Sequence, residues 1–400
     1  MRVLVVGSGG REHALAWKLA SSPELDELHA APGNPGIAAL GSCHPVRPDD
    51  AEGLLELVRT TDVDLVVIGP EAPLVSGVGD ELRHAGVSVF GPSAAAARIE
   101  GSKRFAKEVM EAAGVPTAAT IGVAVPSRAP CVVKVDGLAA GKGVFVCRTE
   151  EELAAALPVA QAFEELLLFE ELLEGEELSV FAISDGSRVV PLAAARDYKR
   201  VDDGDVGPNT GGMGSYSPAE NVDLDALVAS FHEPVVAELA RRGTPFTGLL
   251  YAGLMLTSEG PKVLEFNCRF GDPETQSVLP CLDGDLLPLL AGAASGRLDG
   301  AGPLLSRGAA VTVVLAAGSY PESGDAGSPI EGVADAESAG ALVFHAGTAR
   351  AGGALVTAGG RILNVTGVGD SVADARARAY SGVERISFAG ARYRRDVAGV

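Results

Sequence analysis

Polar side chains of three different chemical types alternate with apolar ones in the segment VLEFNCRFGDPETQ, which spans residues 263–276. An alternating pattern is typical of a β-strand, whose successive side chains point to opposite faces. The apolar face is predicted to carry Leu264, Phe266, Cys268 and Phe270. The opposite face would then carry Glu265, Asn267 and Arg269, before Gly271-Asp272-Pro273 ends the strand and Glu274 begins a helix.

The polar face of this strand has the groups needed to hold a metal-bound phosphate. The oxygens of Glu265 and Asn267 are suitable ligands for a hard cation such as Mg²⁺, and the Arg269 guanidinium can clamp a phosphoryl or carboxylate group. The alternative on this segment alone is an edge strand with a solvated polar face.

Composition describes an ordinary globular chain with a large negative charge. Its 400 residues are enough for two to four domains, and the net charge of −21 argues against binding to nucleic acid or to an anionic membrane. The five cysteines are dispersed without a C-x-x-C pair, which favours a reducing compartment. The N-terminus has no signal-peptide pattern and no apolar run is long enough to cross a membrane, so we expect a cytoplasmic protein.

The N-terminal segment predicts a phosphate-binding turn. A buried strand over 2–6 leads through Gly7-Ser8-Gly9-Gly10 into a helix over about 11–20, and a helix N-terminus favours anions. The dinucleotide fingerprint is incomplete because Glu12 occupies its last glycine position, so a nicotinamide dehydrogenase is disfavoured. A purely structural glycine turn remains the alternative.

A second buried strand, over 64–68, ends just before Glu71, which is a candidate ligand contact or a surface acid.

Lysines stand at unusual positions in the next part of the chain. Lys103 lies near the start of a helix predicted over about 102–113, where a cation is disfavoured. Lys134 lies inside a short apolar strand over 132–136, where it requires a partner. The glycine-rich loop 137–143 contains Lys142 and leads into a second strand, so it is a hairpin that could cover phosphates or a plain glycine hairpin, but not a Walker A loop.

Further elements follow in order. Strands are predicted over 166–173 and 178–183, a long polar loop over 196–218, a helix over 223–242, and a hairpin of 247–256 with 261–267. The C-terminal region is predicted to have strands near 309–316, 342–346 and 354–366 and a helix over about 371–386, without a catalytic constellation.

Taken together, several long motifs resemble the ATP-grasp superfamily and, within it, the phosphoribosylamine–glycine ligase family. The resemblance covers about residues 1–395. It depends on VLVVGSGGREHALAW at the start, GPEAPLV (69–75), EGSK (100–103), VVKVDGLAAGKGV (132–144), EELLEGEE (170–177), GPNTGGMGSYSP (207–218), EFNCRFGDPETQ (265–276) and FHAGT (344–348).

The resemblance implies a multidomain fold of α/β and α+β type. We expect an N-terminal Rossmann-like parallel αβ domain (1–101), a central ATP-grasp domain (102–305) of two α+β subdomains with a mobile lid at about 116–180, and a small mixed α/β C-terminal domain (306–400). It also implies that ATP, glycine and 5-phosphoribosylamine become ADP, phosphate and glycinamide ribonucleotide through a glycyl phosphate, in a monomer or weak homodimer.

The resemblance also assigns roles to residues. It implies catalytic roles for Arg269, Lys142 and Asp272; ATP contacts from Lys103, Lys134, Gly141, Lys142, Gly143, Glu170, Glu171, Leu172, Leu173 and Glu177; substrate contacts from Gly9, Gly10, Arg11, Glu71, Asn209 and Gly212; and Mg²⁺ or Mn²⁺ ligation by Glu265 and Asn267. Glu170 to Leu173 would contact adenine through backbone groups, and Glu177 would contact the ribose.

The sequence departs from the family pattern in the lid and at two isolated positions. Residues 160–165 lack the glycine pair that usually precedes the adenine strand, and Ser8 and Val206 replace an expected Asn and Thr. Two other functions remain as alternatives: an ATP-grasp ligase with different substrates, and a nucleotide-binding protein without catalysis.

Overall fold

The first region is a parallel sheet with helices on both faces. The computed structural model of the protein describes residues 1–122, 128–139 and 142–399. Its first strands are β1 (Arg2–Gly7), β2 (Glu27–Pro32), β3 (Ser42–Cys43), β4 (Leu65–Ile68) and β5 (Val89–Phe90), and its helices are α1 (Gly10–Ala20), α2 (Ala51–Thr61), α3 (Glu71–Val75), α4 (Val78–His84) and α5 (Ala94–Gly101). The strand order is β3-β2-β1-β4-β5, and a 3₁₀ turn covers Ile37–Ala39. Val3 to Val6 are fully buried between the helix layers, as a strand without alternation requires.

A small second sheet forms the lid region. Helix α6 (Lys103–Ala113) precedes β6 (Thr120–Gly122), β7 (Cys131–Val135), β8 (Val144–Cys147), α7 (Glu150–Gln161) and β9 (Leu167–Glu170). The antiparallel order is β6-β9-β7-β8, and α7 packs on a core that includes Val133 and Phe169. The predicted ATP contact Gly141 lies outside the described residues.

The central region has a long antiparallel sheet. Its elements are β10 (Glu176–Asp185), β11 (Val189–Asp197), β12 (Arg200–Asp202), β13 (Val206–Asn209), β14 (Gly214–Ser217), α8 (Leu224–Leu227), α9 (Glu233–Arg241), β15 (Thr247–Thr257), β16 (Gly260–Asn267), α10 (Glu274–Cys281), β17 (Leu282–Asp283) and α11 (Leu287–Ala294). Residues 196–218 were predicted to be a loop, and that prediction is wrong. The backbone of this polar stretch pairs with itself, for example through the Tyr198 N–H to the Gly214 carbonyl at 3.0 Å. Its strands were missed because the polar side chains show no apolar alternation.

The predicted helix over 223–242 is interrupted. A π-helical turn at Val228–His232 separates α8 from α9. Pro234 stands in the first turn of α9 and has no backbone N–H, so the regular i−4 ladder cannot run through this position.

The C-terminal region extends the central sheet. It contains β18 (Leu305–Ser306), β19 (Ala309–Ala316), β20 (Asp325–Pro329), α12 (Val333–Ser338), β21 (Leu342–His345), β22 (Thr348–Ala351), β23 (Ala354–Gly359), β24 (Arg361–Gly369) and α13 (Val372–Val383). One sheet runs β16-β15-β10-β11-β14-β19-β24-β21, because β14 pairs with β19 across the predicted domain limit at 305. Strands β20 and β22 were not predicted, since their residues are mostly exposed and lack a regular apolar alternation.

Packing and cysteine positions complete the description. One apolar core joins the first region to the central sheet, with Leu4, Val109 and Phe266 in the same cluster. Cys131 and Cys147, distant in sequence, face each other as paired residues of β7 and β8 and are free thiols. Among the described residues, no helix combines the length and the apolar character needed to traverse a bilayer.

Candidate functional site

The three polar residues predicted to share one strand face lie close together, but β16 ends at Asn267, earlier than predicted, and Arg269 follows the strand. The Asn267 amide nitrogen lies 3.5 Å from a Glu265 carboxylate oxygen, and the Arg269 guanidinium donates to the Asn267 amide oxygen at 3.3 Å. The prediction for Leu264 is wrong, because the pairing register shifts beside Gly253 and leaves Leu264 as the extra residue of a bulge. Val263 is therefore the fully buried residue, while Glu265 and Asn267 keep their common face.

Lysines from three separate parts of the chain act on the Glu265 carboxylate. Burial alone would raise the pKa of Glu265, but the positive charges of Lys199, Lys134 and Lys103, together with Arg269, lower it below its usual range. The Lys103 ammonium donates to the Gly137 carbonyl at 2.9 Å, at the base of the lid hairpin. A carboxylate on which several ammonium groups act is an environment prepared for a polyanion with a divalent cation.

Lys199 belongs to this cluster and was not predicted as a site residue. It forms ion pairs with Glu177 and, at 3.5 Å, with Asp197. Burial and the negative charge of Asp197 also raise the pKa of the nearby Glu274 to about 7. The sequence signal that could have revealed Lys199 is the Asp197-x-Lys199 spacing, which places both side chains on one side of an extended segment.

The lid lysine Lys134 pairs with a carboxylate that we had expected to act only through its backbone. The Glu170 carboxylate is 2% exposed and lies between Lys134, at 2.7 Å, and Lys107, at 2.8 Å. Lys134 also donates to the Leu264 carbonyl at 2.8 Å, which ties β7 to the metal strand. Lys134 thus has the partner that its apolar strand required.

The other predicted nucleotide contacts follow Glu170 or lie on the lid hairpin. Because β9 ends at Glu170, Glu171 to Leu173 belong to the link between β9 and β10. The Glu171 carboxylate accepts from the Ala119 N–H at 2.9 Å, and Leu172 and Leu173 are half-buried. Lys142 is exposed on its hairpin, whereas Gly143 is buried. Asn209 reaches the Val144 carbonyl of that hairpin at 3.4 Å.

Arg269 connects the metal face to the first region. Its guanidinium donates to Glu71 and to Glu100, each at 3.2 Å. The Arg11 guanidinium lies 3.9 Å from Glu71, donates to Glu12 at 2.6 Å and reaches the Phe270 carbonyl at 3.2 Å. Arg11, expected to take a sugar phosphate, is therefore engaged in this buried network.

Protonation of Glu71 is expected to destabilise the fold at acid pH. Burial would raise the pKa of Glu71, but Arg269 and Arg11 lower it to about 2. Because the pKa of Glu71 is lower in the folded than in the unfolded state, the ionised carboxylate stabilises the fold at pH values above the unfolded pKa near 4.5. This contribution to stability disappears as the pH falls toward 2. We therefore expect Glu71→Gln to reduce the free energy of unfolding at pH 7 by about 3 kcal/mol, with a difference that shrinks below pH 4.5. Urea unfolding of both proteins between pH 7 and 3 measures this, and a pH-independent difference would contradict it.

Asp272 and Gly212 meet a residue from the C-terminal region. The Arg361 guanidinium donates to an Asp272 carboxylate oxygen at 2.8 Å and to the Gly211 carbonyl at 2.6 Å. Gly212 has φ of +105°, and a Cβ there would lie 2.3 Å from Pro273, so the turn requires glycine. Arg361 was missed because none of the motifs that carry the resemblance includes it; only the tertiary contact reveals it.

The N-terminal glycine turn packs closely against the same junction. The Gly9 N–H donates to Glu12 at 2.6 Å, and a Cβ on Gly10 would lie 2.1 Å from the Asn364 amide nitrogen. Gly10 is thus needed for the close approach of α1 to the C-terminal strands. Gly9 precedes the first turn of α1, whose N–H groups lack partners within the helix.

Comparison with known proteins places this arrangement in one family. Family models described as "Phosphoribosylglycinamide synthetase" match along the chain: the N domain at residues 1–100, the ATP-grasp (A) domain at 101–275 and the C domain at 310–399.

Individual relatives cover nearly the whole chain. The phosphoribosylamine–glycine ligase of Streptomyces coelicolor is 50% identical and that of Rhizobium meliloti 49%, with 100% and 99% of this chain and 99% and 98% of theirs aligned. The crystal structure of the Thermotoga maritima phosphoribosylamine–glycine ligase is similar with a TM-score of 0.84 and 36% identity, over 99% of this chain and 100% of that one. A biotin carboxylase domain of Hydrogenobacter thermophilus, at 18% identity and a TM-score of 0.71, shares the fold. The predicted fold class and family are therefore confirmed, and the chain belongs to the phosphoribosylglycinamide synthetase family of ATP-grasp ligases.

Proposed function

We propose that the protein joins glycine to 5-phosphoribosylamine at the expense of ATP and forms glycinamide ribonucleotide, ADP and phosphate, a step of purine biosynthesis. The observation that carries this proposal is the close approach of Glu265, Asn267 and Arg269, at a place where the positive charges of Lys103, Lys134 and Lys199 act on the Glu265 carboxylate. The family membership supports the same chemistry.

The reaction needs an activated carboxyl group. The glycine carboxylate oxygen bonds to the γ-phosphorus of ATP while the bond to the β-phosphate oxygen breaks and ADP leaves. The sugar amine then bonds to the carbonyl carbon of glycyl phosphate, phosphate leaves with the electron pair of the broken C–O bond, and the amine gives up one proton. Positioning and charge neutralisation are the tasks left to the protein.

The lysines and the lid would bind the nucleotide. Lys103, Lys134 and Lys142 would meet the phosphates, with Gly141 and Gly143 giving the lid hairpin its close approach. The backbone of Glu170 to Leu173 would contact adenine, and Glu177 the ribose. The ion pairs of Glu170 with Lys107 and Lys134 support a role for its carboxylate in holding Lys134 in position.

The donor set of β16 fits Mg²⁺ or Mn²⁺ held jointly by the protein and by substrate phosphates. Glu265 supplies a carboxylate and Asn267 an amide oxygen, which are ligands that hard cations prefer. In residues 1–122, 128–139 and 142–399 no cluster of three His, Cys, Asp or Glu side chains forms a complete metal cage. A divalent ion there would neutralise phosphate charge, while Arg269 would stabilise the transferring phosphoryl group.

The remaining substrate groups would occupy the junction of the regions. Asp272 would hold the glycine amine, with Asn209, Gly212 and Glu71 around the acceptor site. The turn at Gly9 and Gly10, with Arg11 behind it, would take the sugar phosphate. The first turn of α1 supports this assignment, because free N–H groups at a helix start favour phosphate.

Substrate omission tests the reaction. We expect phosphate release only when ATP, glycine and phosphoribosylamine are all present, no release with excess EDTA, and recovery on adding Mg²⁺ or Mn²⁺, because each ion suits the oxygen donors. Phosphate release and mass spectrometry of the product measure this. Turnover with a different amine but not with phosphoribosylamine would favour another ATP-grasp ligase, and nucleotide binding without turnover would favour a non-catalytic protein.

We also propose three domains at 1–101, 102–305 and 306–400, a monomer or weak homodimer, and action in the cytoplasm. The five free cysteines support a reducing compartment.

A further inference from the structure

The hairpin formed by β12 and β13 has almost no apolar core of its own. Within residues 200–209, all of which the structure describes, only Val201 is buried. The two strands are short, and Asp202 pairs with Val206 beside an irregular register. Because an isolated two-stranded hairpin is only marginally stable in water, contacts with the rest of the chain must hold it in place.

The segment 391–398, which we call the C-terminal tail, supplies those contacts. The tail carboxylate of Asp396 accepts from the Gly204 N–H in the hairpin turn at 2.8 Å. Each of the three acids of the hairpin accepts a hydrogen bond from the tail: Asp202 from the Arg392 side chain at 2.6 Å, Asp203 from the Arg395 N–H at 2.7 Å, and Asp205 from the Arg394 side chain at 2.6 Å.

Arg394 lies at the centre of this contact and is 1% exposed. Its guanidinium donates to the two Asp396 carboxylate oxygens at 2.7 and 2.6 Å and to the Arg200 carbonyl at 3.2 Å. It also lies 4.8 Å from the centre of the Tyr198 ring. A buried arginine that joins an acid of the tail to Asp205 and to the hairpin backbone fixes the hairpin relative to the tail.

The chain that enters the hairpin carries Tyr198 and Lys199 on opposite sides, as successive residues of an extended segment do. The Tyr198 hydroxyl accepts from the Ala398 N–H of the tail at 2.8 Å. Lys199 instead forms an ion pair with Asp197 at 3.5 Å, and its positive charge acts on the Glu265 carboxylate. Holding Tyr198 therefore fixes the backbone from which Lys199 reaches the candidate site.

The other end of the hairpin contacts the lid. The Asn209 amide donates to the Val144 carbonyl of β8 at 3.4 Å. Next to it, the N–H and the hydroxyl of Thr210 both donate to the Lys199 carbonyl at 2.8 Å and close the base of the hairpin. The hairpin thus lies between the C-terminal tail and the lid, with Lys199 at its base.

We propose that Arg394 is a positioning residue for nucleotide binding: it holds the β12–β13 hairpin so that Lys199 stays beside Glu265 and Asn209 stays at the lid. The groups to which Arg394 donates belong to the hairpin and the tail rather than to the groups proposed to bind ATP, so it acts through the hairpin. This inference rests on the proposed function for the assignment of the site to ATP and its metal ion.

Calorimetry with AMP-PNP, an ATP analogue that is not hydrolysed, and Mg²⁺ tests the full chain. We expect Arg394→Gln to bind AMP-PNP about tenfold more weakly, because Lys199 and Asn209 lose their fixed positions, while the KM for phosphoribosylamine changes less than about twofold. Arg394→Lys keeps the charge without the planar fork and should give an intermediate affinity. Wild-type affinity in Arg394→Gln, or an equal loss for both ligands, would overturn the proposal.

Asp205→Asn keeps the test open if Arg394→Gln fails to fold. Asp205 has φ of +56°, which Asn also adopts, and its side chain is 70% exposed, while Arg394 keeps its pair with Asp396. We expect AMP-PNP binding about threefold weaker. The matched control is Asp299→Asn, which removes an exposed carboxylate paired with Arg188, also at 2.6 Å, and should bind as the wild type does. Wild-type affinity in Asp205→Asn, or weaker binding in the control, would overturn the proposal.

Hydrogen exchange shows the hairpin directly and needs no turnover. The amides of residues 199–209 should exchange about tenfold faster in Arg394→Gln than in the wild type, while those of β10 and β15 keep their rates. If the wild type makes the product but the variants bind AMP-PNP and exchange as it does, this inference fails and the function stands. If the wild type makes no product, the function fails, and AMP-PNP binding and hydrogen exchange alone support or overturn the role of Arg394.

Discussion

Glu265→Gln is expected to lower kcat/KM by about 10³-fold. A unit-charge interaction at 4 Å is worth about 4 kcal/mol at an effective dielectric constant near 20, and tenfold in rate corresponds to about 1.4 kcal/mol. The substitution removes the one carboxylate of the proposed metal pair and leaves Lys103, Lys134 and Lys199 facing a neutral amide. The loss in kcat/KM is measured by phosphate release at saturating ATP and glycine, with phosphoribosylamine as the varied substrate.

The control for this variant is Glu259→Gln in the same hairpin. Glu259 is exposed and pairs only with Lys262, at 3.0 Å, among the described residues. It should retain wild-type turnover. Binding of Mn²⁺, followed by electron paramagnetic resonance in the presence of ATP, should weaken in Glu265→Gln and stay unchanged in the control. Unchanged turnover in Glu265→Gln would contradict the role of Glu265 as a ligand of the catalytic metal ion.

Arg269→Gln is expected to reduce both activity and stability. The Arg269 side chain is 17% exposed and satisfies Glu71 and Glu100, so its loss leaves buried negative charge without a partner. Breaking a buried ion pair from one side typically costs about 3–5 kcal/mol, and losing an arginine that stabilises a transferring phosphoryl group costs about 10³-fold in rate. Urea unfolding and phosphate release measure the two effects.

A double variant separates the two effects of Arg269. Arg269→Gln combined with Glu100→Gln removes one of the stranded carboxylates, so part of the lost stability should return while activity should not. The destabilisation of Arg269→Gln should also be smaller at pH 4 than at pH 8, because protonation neutralises the carboxylates left behind. Recovery of activity in the double variant would indicate that Arg269 acts only through the fold.

Much of the fold could be predicted from local patterns. The strand over 2–6 is a continuous apolar run before glycines, and residues 265–270 alternate polar with apolar side chains. Such signals depend on near neighbours in the chain. The prediction for segment 196–218 failed because its strands are short and polar. Strands β12 and β13 pair with each other, and β14 pairs with β11 and β19, so their stability comes from pairing rather than from their own composition.

By itself, the sequence determined that Glu265 and Asn267 share a strand face and which family the motifs resemble, because strand period and motif spacing are local properties. Only the tertiary structure decided that Lys199 joins Glu265, that Glu170 lies between Lys107 and Lys134, and that Arg361 holds Asp272. These contacts join residues far apart in the chain, and a buried charge finds its partner through the packing of whole elements, which no local pattern records.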